Sequence, residues 1–222
     1  MVHPSSMAGE SSGALDAICC LLGPLIIGGI IWFFYKKAQK RNELMNAIWL
    51  NSATQLGLTM DLANKYSRNM FGEINGLACK VYTHKVTHGS SSNRRTVEYT
   101  NFEVSFPKSL NMGLILKREV AMLGKLAKLM GNQDIQTGDP AFDACFTIKG
   151  TNEQQVRTFL TNERRQSIMH LRQSIVDLQI SDLGISWMIN STAFDPNTIP
   201  SYLNQFIQLA NAIYPHSNTT QF

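Results

Sequence analysis

The chain has 222 residues, of which 44% are hydrophobic and only 16% are charged. This balance excludes a disordered, highly charged tail protein, and four cysteines are too few for a disulfide-stabilised scaffold. The formal net charge of +4 is too small to indicate nucleic acid as a partner, and we expect none. The length suits one domain, or one domain with an appendage.

The positive charge is concentrated in one short segment. Residues 1–35 contain two acidic residues and no lysine or arginine, whereas residues 42–222 contain 16 basic and 14 acidic residues. The excess comes from what we term the basic cluster, formed by Lys36, Lys37, Lys40 and Arg41. The rest of the chain is therefore close to neutral.

An uncharged apolar run from Ala17 to Tyr35 precedes the basic cluster. Its 19 residues would form a helix of roughly 28 Å, close to the thickness of a bilayer core of about 30 Å. Four aromatic residues end the run, where an aromatic belt is expected. A signal peptide has its basic residues before the apolar run, and a core helix that is apolar all round does not suit so small a domain. We predict a transmembrane helix over 17–35.

The same charge asymmetry predicts the orientation. Basic residues that flank a span stay in the cytoplasm, where anionic lipid head groups also attract them. We therefore expect the basic cluster to contact lipid head groups. The N-terminus is then outside, and the domain after the span is cytoplasmic.

Five segments follow from these observations. Residues 1–16 are predicted to be disordered, and the transmembrane helix covers 17–35. Residues 36–56 contain no Gly or Pro, which predicts a juxtamembrane helix that ends before Gly57. A soluble domain over 57–216 and a tail over 217–222 complete the chain.

The first half of the soluble domain has the two-residue period of β-strands. Alternation from Leu77 to His84 predicts one strand, and turn residues from Gly89 to Asn93 predict a loop. A second strand is predicted from Thr96 to Phe106. The side on which its apolar residues lie changes near Thr100–Asn101, which predicts a bulge or a bend. A further short strand is predicted from Met112 to Leu116.

The second half mixes helices and strands. A helix is predicted from Val120 to Met130, then a strand from Cys145 to Lys149, then a helix opened by a capping box of Thr151 and Gln154. The other predicted elements are a helix over 163–174, a hairpin over 176–189 that turns at 182–184, and a helix from Pro200 to Pro215. Strands and helices occur in blocks, which predicts an α+β fold with a largely antiparallel sheet and packed helices.

Histidines and cysteines do not form a metal site in this pattern. His84 and His88 lie about 13 Å apart along a strand, too far to share one ion, and we expect exposed strand-end side chains. Cys79 and Cys145 lie on alternating strands and are predicted to be small buried residues. We expect no metal and no cofactor.

Asp139 and Asp143 form the candidate acidic site. Asp139 can cap a helical turn that begins at Pro140, which places Asp143 one turn later on the same side. Two carboxylates so placed could bind a hard cation or act as acid and base. The alternative is a packed turn that uses Asp139 as a cap and buries Phe142 and Phe146, and the residue pattern favours this alternative.

Two functions remain open. The first is a membrane-anchored cytoplasmic domain that binds or scaffolds a protein partner or a second copy of itself, and an accessory subunit of a membrane complex is one form of this role. The second is an enzyme that acts on a lipid or a membrane protein through Asp139 and Asp143. The absence of nucleotide, zinc and nucleophile motifs favours the first.

The segment from Gln133 to Gly150 contains the pattern Gly-Asp-x-x-Phe-Asp-x-x-Phe. In this segment the chain resembles a set of uncharacterised bacterial proteins with one N-terminal span and a cytoplasmic α+β domain. The resemblance extends over most of residues 50–214. It implies a location in the bacterial inner membrane, and it implies no activity.

Overall fold

The structure is a computed structural model that describes residues 12–61, 67–90, 93–118, 135–172, 177–189 and 195–214. The chain forms two compact units, Met1–Asn46 and Ala47–Phe222. We predicted that the soluble domain begins at residue 57. The second unit begins ten residues earlier, so it includes the last turns of the first helix.

Helix α1 covers Ser12–Leu56 and contains 45 residues. Residues 12–16 are helical where we predicted disorder, because extending an established helix by one residue costs little. Gly57 ends the helix with a positive φ of 68°, as predicted. The described side chains of α1 begin at Leu25. In the part of the chain that the structure describes, no helix is long and apolar enough to cross a membrane.

An eight-stranded sheet forms the centre of the second unit, and all its pairings are antiparallel. With the helices described below, it makes the fold α+β, as predicted. The spatial order is β1-β2-β3-β4-β8-β7-β5-β6. The strands are β1 (Thr59–Asp61), β2 (Asn69–Ile74), β3 (Leu77–His88), β4 (Arg95–Ser105), β5 (Ile115–Arg118), β6 (Phe146–Lys149), β7 (Asp177–Ser181) and β8 (Gly184–Ile189).

The first four strands form a meander, and β4 then pairs with β8 from the far end of the chain. Asn75 and Gly76 make the two-residue turn between β2 and β3, with φ values of 53° and 77°. Positive φ at both central positions is typical of the type I′ hairpin turn, which favours Asn-Gly. The strands β1 and β2 were not predicted from the sequence.

Of the two predicted alternatives at Thr100–Asn101, a bulge or a bend, the bulge is wrong. The register of β3 against β4 is continuous from Ala78–Ser105 to His88–Arg95. Thr100 is buried on the same face as Phe102 and lies opposite Thr83, which is also buried. The apolar residues of β4 occupy both faces of one regular strand, so no change of register is needed.

Four helices are described after the sheet's first half: α2 (Pro140–Asp143), α3 (Glu153–Phe159), α4 (Asn162–Arg172) and α5 (Thr198–Ile213). The predicted capping box is wrong by one residue. Asn152 caps α3 by accepting a hydrogen bond from the backbone N–H of Gln155 at 3.1 Å. The backbone N–H of Thr151 instead donates to Met112, so the helix begins after it. The helix predicted from Val120 to Met130 lies outside the described residues.

An aromatic cluster joins α5 to the centre of the sheet. Phe102 on β4 stacks on Trp187 on β8, with ring centroids 5.1 Å apart. From α5, Phe206 stacks on both rings and Tyr202 meets both edge to face. These pairings bury one face of β4 and β8 under α5 and fix the helix across the two strands.

Candidate functional site

The loop that holds Asp139 and Asp143 is closed by hydrogen bonds to their carboxylates. We call residues 137–143 the acidic loop. Both oxygens of Asp143 accept from the backbone N–H of Thr137, at 3.0 and 3.1 Å. One also accepts from the Thr137 hydroxyl at 2.8 Å, and the other from the N–H of Gly138 at 3.2 Å. The Asp143 carboxylate therefore fixes the entrance of the loop.

Asp139 is the N-cap of α2, as predicted. Its Oδ1 accepts from the backbone N–H groups of Ala141 and Phe142, at 3.1 and 3.2 Å, and Pro140 follows as the first helical residue. Its Oδ2 lies 3.4 Å from Nε of Arg165 on α4. The cap satisfies two N–H groups that have no partner within the helix.

The acidic loop is held by a buried aromatic pair and by an arginine from α4. Phe142 is fully buried and lies 4.8 Å from the ring of Phe146. Arg165 Nη1 also donates to the carbonyl of Leu160 at 2.5 Å, so one guanidinium joins the acidic loop to the α3–α4 connection. Arg164 donates in the same way to the carbonyl of Phe159 at 2.7 Å. Burial lowers the pKa of Arg164, and the charge of Glu163 opposes this effect.

Each of the four carboxylate oxygens in the acidic loop thus accepts a hydrogen bond from the protein or forms an ion pair with it. A cation held by both carboxylates would have to displace Arg165 from Asp139 and backbone N–H groups from Asp143, and the displaced groups would lose their hydrogen bonds. No group of three or more potential metal ligands occurs among the described residues. The geometry matches the packed turn, whereas a cation-binding or acid–base role for Asp139 and Asp143 stays a prediction.

The two histidines on β3 have different surroundings. His84 Nδ1 lies 2.5 Å from the side-chain amide of Asn101, and its ring stacks on Tyr99 at 5.6 Å. His88 is exposed and pairs with Arg95 at the end of the ladder. The structure confirms that both lie on a strand, although His84 is half-buried and not fully exposed as predicted.

Both described cysteines are free thiols and buried, as predicted. Burial raises the pKa of Cys79 to about 11, and a backbone hydrogen bond partly opposes this. Cys145 donates to the carbonyl of Ala141 at 2.9 Å, within the acidic loop. A raised pKa keeps the thiol protonated, and a protonated thiol is a poor nucleophile.

A third carboxylate organises the second half of the sheet and was not singled out from the sequence. Asp182, in the turn between β7 and β8, accepts from the backbone N–H groups of Met112, Gly113 and Leu114 at 3.1, 2.8 and 2.8 Å. It thereby holds the segment that leads into β5. An Asp in a hairpin turn is too common a signal to identify such a long-range role.

The basic cluster and the end of the apolar run lie on consecutive turns of α1. Trp32, Phe33, Phe34 and Tyr35 are all about 60% exposed, and the four basic residues after them are exposed as well. The Tyr35 hydroxyl accepts a hydrogen bond from Gln39, one turn later, at 2.9 Å. Within the N-terminal unit, an apolar surface therefore changes directly into a cationic one.

The described residues of the C-terminal unit line several surface depressions, of which two open clefts are notable for their size. One has a volume of about 540 Å³ and lies beside Arg164, between α3 and the loop at 110–112. The other, of about 500 Å³, lies between α4 and α5 and includes His170. Both are open to solvent, and neither includes Asp139 or Asp143.

No protein-family model matches the sequence, and no curated protein is significantly similar to it.

Proposed function

We propose that this chain is a membrane-anchored domain that binds or scaffolds a protein partner, as an accessory component of a membrane complex. In this proposal α1 anchors the chain in a bacterial inner membrane with its N-terminus outside. The C-terminal unit then lies in the cytoplasm. The observation that carries the proposal is the exposed apolar surface of α1 next to the basic cluster.

The apolar surface of α1 is costly in water. Nine large apolar or aromatic side chains between Leu25 and Tyr35 are 51% to 71% exposed. At about 2 kcal/mol for each such side chain if it were fully buried, their exposure costs on the order of 10 kcal/mol. That exceeds the stability of many whole domains, and insertion into lipid removes the cost. The apolar sequence continues towards the N-terminus as far as Ala17.

The basic cluster supports the orientation. Each Lys or Arg near an anionic leaflet contributes about 1 kcal/mol, so four of them favour the cytoplasmic side by about 4 kcal/mol. Aromatic rings next to the cluster suit the lipid–water interface.

Two observations support binding to a partner: the carboxylates of the acidic loop are used within the protein, and α1 exposes apolar side chains. The carboxylates of the acidic loop bind their own backbone and Arg165. Beyond the basic cluster, α1 carries Leu44 and Leu50, which are 62% and 50% exposed. In this proposal each of the two leucines is an apolar side chain that a partner helix, from another protein or from a second copy, would bury.

Membrane insertion is tested by flotation of the full chain with lipid vesicles, followed by extraction at alkaline pH. The parent is expected to float and to resist extraction. Replacing Ile26 and Ile30 by Lys places two charges in the apolar run and should release the chain. The matched control is Leu183→Lys, which adds a charge at a residue 68% exposed in a turn of the sheet. A parent that alkali extracts would refute the anchor.

Orientation is tested with a reporter that is active only outside the cytoplasm, fused after Phe222. We expect no activity in the parent. Replacing the basic cluster with four Gln residues should produce mixed orientations, because the flanking charge bias sets the topology. Strong reporter activity in the parent would refute the proposed orientation.

Partner binding is tested by purification of the full chain from a detergent extract. Stoichiometric co-purification with components of one membrane complex, or a dimer by light scattering, is expected. A monomer without any stoichiometric partner would count against the scaffold role. Activity of such a monomer on a lipid or membrane-protein substrate, lost in Asp143→Asn with the fold intact, would favour the enzyme.

A further inference from the structure

The cleft between α3 and the loop at 110–112 combines one positive charge with an apolar surface. Its volume of about 540 Å³ lies within the range of ligand sites in proteins. Of its described lining residues, Arg164 alone is charged. Leu110, Met112 and Phe159 provide the apolar part of the lining, and amide and hydroxyl side chains complete it. By charge, the cleft is therefore complementary to an anion with an apolar neighbour.

The guanidinium of Arg164 is held in place but keeps most of its donors. Its Nη1 donates to the carbonyl of Phe159 at 2.7 Å, and its central carbon lies 4.4 Å from the centroid of the Phe159 ring. A guanidinium has five N–H donors, so most of them are left for a ligand. Among the described residues, no carboxylate forms an ion pair with Arg164, although the charge of the adjacent Glu163 acts on it. A bound anion would supply the missing partner of this half-buried cation.

The opposite wall of the cleft is fixed by hydrogen bonds. The carbonyl of Met112 accepts from the backbone N–H of Thr151 at 2.9 Å, immediately before α3 begins. The side chain of Asp182 accepts from the N–H of Met112 at 3.1 Å, and its carbonyl accepts from the N–H of Leu110 at 3.0 Å. Because the two walls are joined in this way, a ligand need not order them, which reduces the entropic cost of binding.

We propose that this cleft binds an acidic side chain of a protein partner, on a peptide segment with apolar neighbours. The inference rests on the proposed function, because it assigns a contact to the partner that the domain binds. The planar guanidinium of Arg164 can donate two parallel hydrogen bonds to one carboxylate. Leu110, Met112 and Phe159 would cover the apolar side chains that flank the carboxylate in the peptide.

The shape of the cleft favours a peptide over a free small molecule. A pocket for a small ligand buries about 70–90% of the ligand's surface, whereas this cleft is open to solvent. A peptide needs cover on one side only, because its other side belongs to the rest of the partner. A single cation also suits one carboxylate better than a phosphate, which carries more charge and more acceptor oxygens.

The test uses the purified full chain in a non-ionic detergent and fluorescence anisotropy of rhodamine-labelled peptides. The probes are amidated heptapeptides with one Glu between two apolar residues, which are Leu, Val or Phe, in a background of Ala. Each has a counterpart with Gln in place of Glu. We expect the best acidic peptide to bind at least about tenfold more tightly than its Gln counterpart, since hydrogen bonds between charged groups are the stronger ones.

Two variants remove the charge of the cleft in different ways. Arg164→Gln should weaken binding of the acidic peptide about tenfold or more. Gln154→Glu with Gln155→Glu leaves Arg164 in place and supplies it with internal carboxylates, so binding should fall as much. Acidic residues in the first turn of a helix are stabilising, so this double variant keeps the fold, and a thermal melt checks both variants.

Arg157→Gln is the matched control. Arg157 lies on the same helix, is exposed and pairs with Glu153, but it does not line the cleft. Its loss removes the same charge from the same element and should change the affinity less than twofold. Equal binding of the Gln peptides, or equal affinity of the parent and Arg164→Gln, would overturn the inference. Binding of inorganic phosphate through Arg164 without binding of any peptide would overturn it in favour of small anions.

Co-purification from a detergent extract separates this inference from the proposed function. A chain that retains a stoichiometric partner but binds no acidic peptide keeps the scaffold role and overturns the role of the cleft. A chain without a partner that binds acidic peptides through Arg164 supports the cleft and counts against the proposed function. A partner that is retained by the parent and lost in both cleft variants supports the two together.

Discussion

Asp143→Asn is the substitution that separates a structural carboxylate from a catalytic or metal-binding one. Asn retains the shape of Asp but replaces one acceptor oxygen by an N–H₂ donor. Whichever way the amide turns, that donor meets the backbone N–H of Thr137, because both carboxylate oxygens accept from it. On one side it also meets the N–H of Gly138. We expect a loss of about 2 kcal/mol in the free energy of unfolding, since each hydrogen bond to a charged group contributes about 1.5–3 kcal/mol.

Asp139→Asn is its matched control. A single oxygen, Oδ1, accepts both capping hydrogen bonds, so an Asn with its carbonyl in that place keeps the cap. The substitution removes only the ion pair with Arg165, which is partly exposed and therefore contributes less than about 1 kcal/mol. The two Asn variants, four residues apart in one loop, should thus differ clearly in stability.

The measurement is equilibrium unfolding by urea, with a thermal melt as a second readout. For a domain of this size, 1 kcal/mol corresponds to about 2–4 °C, so Asp143→Asn should lower Tm by roughly 4–8 °C and Asp139→Asn by no more than about 4 °C. Each melt is repeated with millimolar Mg²⁺ and Ca²⁺. If the parent gains stability with metal and Asp143→Asn does not, or if Asp143→Asn is as stable as the parent, the structural account of the acidic loop is refuted.

Four further predictions concern the C-terminal unit. Burial raises the pKa of Cys79 from 9.0 to about 11. The folded state therefore keeps this proton more tightly, and about 2–3 kcal/mol of stability is present below pH 9 and lost as the pH rises to 11. Urea titrations between pH 9 and 11 should therefore show a smaller decrease in the free energy of unfolding for Cys79→Ala than for the parent. Parallel pH dependences of the two proteins would contradict this prediction. Gly184→Ala should cost roughly 2–4 kcal/mol in the same assay, because φ is +151° and a Cβ would collide with the carbonyl of Val104; a loss below 1 kcal/mol would argue against this geometry. A fragment of residues 42–222 should melt cooperatively. Trp49→Ala in the full chain should lower the free energy of unfolding by about 3–5 kcal/mol, because Trp49 is fully buried. An unchanged Tm in this variant would contradict the assignment of the last turns of α1 to the C-terminal unit.

Periodicity in the sequence was sufficient to predict the fold class and most strands. The alternation from Leu77 onwards predicts β3 because one face of the sheet is packed and the other is not. The same reasoning failed at Thr100, since a buried threonine opposite a second buried threonine interrupts an apolar pattern without any change of register. The Asn75-Gly76 turn carried a recognisable signal for β2 that the alternation did not reveal.

The candidate site shows the limit of local patterns. The cap at Asp139 follows from three consecutive residues, so it was predicted from the sequence. The role of Asp143 depends on the direction of the backbone at Thr137, and that of Asp182 on a segment about 70 residues earlier in the chain.

The pairing of β4 with β8 has a consequence for synthesis of the chain. Strands β1 to β4 can form a meander soon after they leave the ribosome, yet the outer edge of β4 has no partner until β8, about 80 residues later, has been made. At about 5–20 residues per second, this interval lasts roughly 4–16 s. During that time the unpaired edge of β4 can pair with strands of other nascent chains. Phe102 and Val104, which are buried in the folded domain, lie on this strand. The order of strands in the sheet therefore makes the folding of this domain dependent on protection of one edge while translation continues.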